Sequence, residues 1–210
     1  MSGTVKKMIP VKDLAFCALF AALTAAGAFL RIPVPYVPFT LQFLFTNLAG
    51  LLLGSKRGFI SICLYIFIGL TGIPVFAQGG GPAYVLQPSF GYIAGFALGT
   101  FLTGLIAERG EIGVKRYILA GFAGFAAVFA LGLVYFYLIA TFCLEKPLGV
   151  WETFVTGFLL FAPGDILIVV AGAIIALRLR PFLPGGKTAG RTPVRRGKGS
   201  WNSPIGKKAK

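Results

Sequence analysis

The 210-residue sequence contains no histidine, only six acidic residues and only three cysteines. Without histidine there is no imidazole to serve as a base near neutral pH or to hold zinc or copper. Cys17, Cys63 and Cys143 stand singly in apolar surroundings with no C-x-x-C spacing. They read as small hydrophobes, not as a metal or redox site. Charge is scarce as well: Asp, Glu, Lys and Arg make up 12% of the chain, against about a quarter in an ordinary soluble domain. None of it falls in Ile32 to Ser55, Gly58 to Ala107 or Tyr117 to Leu144. Uncharged apolar stretches of about 20 residues or more read as bilayer-spanning helices. A soluble globular enzyme is excluded, and an integral membrane protein is expected.

What is present is apolar bulk (57% of residues), 29 glycines and a basic excess of +14. Charge and turn punctuation divide the chain into six expected spans. They run roughly Asp13 to Leu30, Phe39 to Leu53, Gly58 to Gly69, Phe90 to Ala107, Tyr117 to Cys143 and Trp151 to Leu177. At a helical rise of about 1.5 Å per residue, the second and third are short for a hydrocarbon core about 30 Å thick. The fifth is long enough to need tilt. The expected fold is all-α, one bundle of six transmembrane helices. A basic segment (1–12) precedes the membrane domain (13–180), and a basic, disordered tail (181–210) follows it. With the N-terminus inside, 18 Lys and Arg lie on cytoplasmic segments and only Arg31 and Lys146 lie outside. That asymmetry places both termini in the cytoplasm. The first apolar segment carries no convincing cleavage site and is expected to remain as a span.

The tail from Gly185 to Lys210 holds eight basic residues and no acid. Anionic lipid or RNA could attract it, but a solvated tail that reinforces topology is the plainer reading, and no nucleic-acid partner is expected. Gly186-Lys187-Thr188 imitates the end of a phosphate-binding loop. Pro181 stands where its first glycine belongs and no strand precedes it, so no ATP site is expected. No cofactor, metal or catalytic residue is assigned.

Asp165 is the one acid embedded in an expected span, in Phe161-Ala162-Pro163-Gly164-Asp165. A carboxylate near the bilayer midplane costs at least about 2.5 to 3.5 kcal/mol, so it needs a partner or a wet cavity. Pro163 removes a backbone donor and Gly164 opens space beside the helix. Contact with a ligand or ion, or a structural bond to a neighbouring helix, would each account for it. Arg31 begins a proline-rich loop running to Gln42, a stiff wall at the mouth of the bundle. It either neutralises an anionic substrate or snorkels to the interface. The uncharged, glycine-rich loop from Gly72 to Tyr84 suits a lid over an outward-facing site, or merely a flexible connection. Small residues recur at i, i+4 and i+8 twice: Ala18, Ala22 and Ala26, then Gly91, Gly95 and Gly99. Both stripes permit close helix approach, and packing inside the bundle is the more ordinary use of each.

Several of these segments together resemble the BioY family. They are Ala18-Leu19-Phe20-Ala21-Ala22-Leu23-Thr24-Ala25, Pro38-Phe39-Thr40-Leu41-Gln42, Gly72-Ile73-Pro74-Val75-Phe76-Ala77, Gly91-Tyr92 and Pro163-Gly164-Asp165. The resemblance covers about residues 12 to 180 in order. BioY proteins are the biotin-specific substrate-binding (S) components of energy-coupling-factor (ECF) transporters. The resemblance implies a six-helix subunit that captures biotin near its external face, under the loops after the first and third spans. It implies a transmembrane coupling protein and two ATP-binding-cassette ATPases as partners. The substrate-binding residues would be Asp165, Arg31, Thr40, Gln42, Gln78, Tyr84 and Tyr92. Ala18, Ala22 and Ala26 would dock the coupling protein. Two departures stand out. Where the family carries a lysine three positions after the aspartate, this chain has Ile168, and Gln87-Pro88-Ser89-Phe90 replaces a more glycine-rich run before Gly91. A biotin precursor or another small vitamin on the same scaffold, or a self-sufficient proton-coupled carrier using Asp165, are the competing expectations.

Overall fold

The computed structural model describes residues 10–33, 36–143 and 148–182. Its elements run α1 (Val11–Phe29), β1 (Arg31–Ile32), β2 (Phe39–Thr40), α2 (Gln42–Leu53), α3 (Ser55–Leu70), α4 (Phe90–Glu108), α5 (Val114–Cys143), α6 (Val150–Phe154) and α7 (Ala162–Leu179). A 3-10 turn, Pro82–Leu86, lies between α3 and α4. A π-helical turn, Val155–Leu159, joins α6 towards α7, and a second 3-10 turn, Arg180–Phe182, ends the described chain. Among the described residues, four helical stretches are long and apolar enough to cross a bilayer: α1, α4, α5 and the run Val150–Phe182. The shorter α2 is apolar too, and α3 has 16 residues. Lys6, Lys7, Lys146 and the tail from residue 183 lie outside the described residues.

Three expected segments take a different form. The proline-rich connection is a hairpin: Arg31 pairs with Thr40 and Ile32 with Phe39, antiparallel, and the Leu41 amide extends the ladder to the Leu30 carbonyl at 3.2 Å. A pair of strands satisfies backbone groups that a single extended wall would leave unpaired. The expected second span accordingly starts at Gln42, because Phe39 and Thr40 belong to that hairpin. The expected last span is jointed. Its break falls before Pro163, at Leu160 and Phe161, and Pro163 occupies the first turn of α7, where a missing N–H costs no helical bond.

The two stripes of small residues have opposite fates. Gly91, Gly95 and Gly99 are all buried against α5. A Cβ on Gly95 would lie 2.9 Å from the Val128 carbonyl oxygen, and one on Gly99 would lie 2.8 Å from that of Gly124. Only hydrogen fits there, so α4 and α5 meet backbone to backbone and form the most extensive helix pair of the bundle. The expectation of internal packing fails for the other stripe. Ala18, Ala22 and Ala26 face outward and are exposed, because α1 turns its opposite face (Cys17, Phe20, Ala21, Thr24, Gly27 and Ala28) to the core.

At the end opposite the hairpin, polar contacts tie helix termini. The Glu108 carboxylate accepts from the Ser55 amide and hydroxyl, both at 2.9 Å, capping α3. Arg57 pairs with Asp13 at 3.2 Å, and Arg180 donates to the Tyr117 phenol and lies over its ring.

Candidate functional site

The hairpin turns its Thr40 end into the bundle, where α2, α4, α5 and α7 converge. They enclose an inner cavity of about 50 Å³ walled by Val37, Pro38, Phe39, Phe43, Phe96, Val128, Phe129 and Phe161. Among the described residues, three with polar side-chain atoms line it: Thr40, Tyr92 and Asp165. Phe39 and Phe161 stack nearly parallel, 6.1 Å between centroids, and Phe125 and Phe129 back the opposite wall at 4.6 Å. Such a chamber accepts an apolar ring system and offers it one carboxyl group and the Thr40 hydroxyl oxygen, because the Tyr92 hydroxyl donates away from it to the Gly157 carbonyl.

Asp165 is 7% exposed. Its Oδ1 is buried without a hydrogen-bond partner among the described residues. An ionisable group deep in a membrane bundle without a protein partner is costly. Its position in the first turn of α7 gives some relief, since a carboxylate is favoured near a helix N-terminus. The remaining hydrogen-bonding capacity points at whatever fills the cavity.

An outer cavity of about 520 Å³ adjoins the inner one and shares Pro38 with it. Arg31 from β1 and Gln78 from the 72–81 connection line it, together with Phe29, Pro33, Pro74, Phe76, Ala77 and Gly79. Gln42 and Tyr84 line neither cavity. Gln42 is buried as a strut: its Oε1 accepts from the Thr40 hydroxyl at 3.2 Å and its Nε2 donates to the Tyr65 phenol at 2.5 Å. The Tyr65 hydroxyl donates onward to the Val75 carbonyl at 3.2 Å. One phenol on α3 thus joins the hairpin to the second connecting loop. Tyr84 plays the matching part in that loop, packed on Phe76 at 4.6 Å and hydrogen-bonded to Ser89 at 3.2 Å. Burial pushes its phenol up from the ordinary range, and the Ser89 hydrogen bond opposes that.

The structure therefore gathers Thr40, Tyr92 and Asp165, sets Arg31 and Gln78 one storey above, and spends Gln42 and Tyr84 on the frame. Ile168 is partly buried against the apolar core and is not part of the cavity wall. The aromatic walls and Tyr65 escaped the sequence reading, since in so apolar a chain an inward Phe or Tyr carries no mark that separates it from a lipid-facing one. Asn47 escaped too. It is 2% exposed and both its side-chain polar atoms lack partners among the described residues. A carboxamide in the middle of α2 was the available signal.

The exposed alanine face of α1 forms a third concavity, about 500 Å³. Ala18, Ala21, Ala22, Ala25, Ala26 and Phe29 line it with Leu64, Tyr65 and Ile68 of α3 and Val75. It is almost wholly apolar and lies outside the bundle, so it is a helix-sized groove on the surface.

Comparison with known proteins gives consistent matches. Residues 2–185 match the model of the BioY family. The chain is 45% identical over 168 residues to a probable biotin transporter of Lysinibacillus sphaericus, covering 80% of this chain and 86% of that protein. It is 38% identical over 171 residues to the biotin transporter of Thermotoga maritima, covering 81% and 96%. Among solved structures it resembles the S-component for biotin from an ECF-type ABC transporter, with a TM-score of 0.73 and 26% identity. That match covers 91% of this chain and 100% of the other.

Proposed function

The chain belongs to the BioY family, and from that premise we propose that it holds biotin across the two stacked cavities, rings inward and carboxylate outward. It is a multi-pass protein of the cell membrane and takes up biotin as the S component of an ECF transporter. The family is a transporter component, not a class of enzyme, and no catalytic step is assigned to this chain.

The single observation that carries the site reading is the unpartnered Asp165 oxygen in an otherwise aromatic chamber. Biotin is a fused, largely apolar bicycle whose ureido edge presents two N–H donors and a carbonyl. Asp165 accepts from one of those donors and the Thr40 hydroxyl oxygen, whose own proton is given to Gln42, accepts from the other, while Phe39, Phe129 and Phe161 wall the rings. The valerate tail then points through the Pro38 boundary towards Arg31 and Gln78. Arg31 suits it, because a guanidinium presents a planar fork to a carboxylate. Arg31 also answers the loss of the family lysine at Ile168, a residue that does not line the cavity. Gln42 and Tyr84 act indirectly, through Thr40 and Phe76. The inner cavity is narrower than a bicycle, so entry widens it through the hairpin and the 72–81 connection.

We further infer six spans, with Val150–Phe182 crossing once and α2 and α3 each crossing between longer neighbours. The asymmetry of 18 against two basic residues supports cytoplasmic termini. The chain would carry one membrane domain over residues 13–180, flanked by basic segments. A coupling protein would seat a helix on the alanine groove, and two ATPase subunits would supply the energy that this chain, without a phosphate-binding loop, does not.

Titration of the purified chain with biotin tests the site. Asp165→Asn keeps the size and one acceptor but removes the charge, and affinity is expected to fall at least about tenfold, or 1.4 kcal/mol, while the protein still inserts. Unchanged affinity would overturn the assignment.

A further inference from the structure

Tyr92 lies on the cavity wall, yet its hydroxyl is directed elsewhere: it donates to the Gly157 carbonyl at 2.8 Å. The ring is wedged between two glycines. A Cβ on Gly132 of α5 would lie 2.7 Å from the ring Cγ, and a Cβ on Gly157 would lie 2.6 Å from the phenol oxygen. Phe129 meets the ring edge to face at 5.9 Å. The phenol is therefore held on three sides, with its one donor already used.

Gly157 sits at the centre of the π-helical turn Val155–Leu159, closed by the Leu160 amide on the Val155 carbonyl at 3.2 Å. A π-turn absorbs one residue more than an α-turn, and isolated turns of this kind often occur at functional sites. The Phe161 amide then closes a tighter turn on the Phe158 carbonyl at 3.0 Å, so the joint at Leu160 and Phe161 sets the rotation of everything after it. Gly157 and Asp165 are eight residues apart. In an unbroken α-helix, eight steps of about 100° would leave them about 80° out of register. The π-turn and the tighter turn after it replace that unbroken register. Both are in fact buried in the bundle.

We propose that Tyr92 is a positioning residue for biotin recognition: by pinning the π-turn at Gly157 it fixes the rotation of α7 that turns the Asp165 carboxylate into the inner cavity. Its ring contributes wall, and its hydroxyl acts on the ligand only through Asp165. This rests on the reading of Asp165 as the group that receives the ureido donors.

A double-mutant cycle read by biotin titration of the purified chain separates the possibilities. Tyr92→Phe removes one hydroxyl and keeps the ring in its slot. Biotin affinity is expected to fall about threefold to tenfold, the range of one neutral hydrogen bond. The double variant Tyr92→Phe, Asp165→Asn is expected to bind no more weakly than Asp165→Asn alone, because the phenol works through a carboxylate that is already gone. Wild-type affinity in Tyr92→Phe would overturn the proposal. So would a Tyr92→Phe loss that adds in full to that of Asp165→Asn, the mark of direct ligand contact or of general destabilisation. If Asp165→Asn alone binds biotin as wild type does, the site reading itself fails and the proposal falls with it. In that event the cycle shows which of the two broke.

Discussion

The alanine stripe of α1 and the glycine stripe of α4 share a spacing and a chemistry, and the bundle uses them in opposite ways. Gly95 and Gly99 are consumed: α5 backbone lies where their side chains would be. Ala18, Ala22 and Ala26 are left on the outside, rimming a groove completed by α3. What distinguishes them is the complement. The α4 stripe meets Gly124 across the interface, so two bare backbones approach each other. The α1 stripe lies beside α3 and stays exposed, with no described helix of this chain covering it. A small-residue face without an internal partner leaves space that a second protein's helix can occupy.

Substitution should break the two stripes differently, and the largest effect is expected at α4. Gly99→Leu would force a side chain into Gly124 and Val128. Overpacking costs about 1 to 3 kcal/mol even where side chains can give way, and backbone cannot. Loss of monodisperse protein on size-exclusion chromatography in detergent is expected, with biotin binding lost alongside. A well-folded Gly99→Leu would mean that α4 and α5 are not so closely apposed.

Ala22→Trp should leave the isolated chain folded and binding biotin with unchanged affinity. Co-purification with the coupling protein, and biotin uptake by cells, should be abolished. If binding by the isolated chain is lost as well, Ala22 packs internally and the groove is no docking face.

A smaller effect is expected where the frame links groove to cavity. Tyr65 lines the outer groove, and its hydroxyl touches both Gln42 and the Val75 carbonyl. Tyr65→Phe should weaken biotin binding about threefold, chiefly through faster release, as stopped-flow measurement would record. An unchanged dissociation rate would show that the two loops do not depend on that phenol.

The smallest effect separates ligand forms. Wild type should prefer biotin over its carboxamide, and Arg31→Gln should erase the preference with little change in carboxamide affinity. Equal binding of acid and amide by wild type would remove Arg31 from the carboxylate end.

Much of this was legible in the sequence, for physical reasons particular to each part. Charge-free runs marked the membrane helices because lipid admits little else. Asp165 was conspicuous because a carboxylate in an apolar run needs a reason. The joint before α7 was not legible: Pro163 drew attention to its own position, while the π-turn four to eight residues earlier carries only Gly157 as a sign. The pairing of Thr40 with Arg31 across three prolines was also hidden, since those prolines suggest extension more readily than a hairpin. Which alanines face outward depends on where α2 and α3 press against α1, and no local pattern records that.

The central claim is that this chain captures biotin with Asp165 facing the ligand. Mass spectrometry of the small molecule released from protein purified from biotin-replete cells tests it most directly. The account predicts biotin at close to one equivalent in wild type and little or none in equally well-folded Asp165→Asn. A different molecule in wild type, or equal biotin in both proteins, would contradict it.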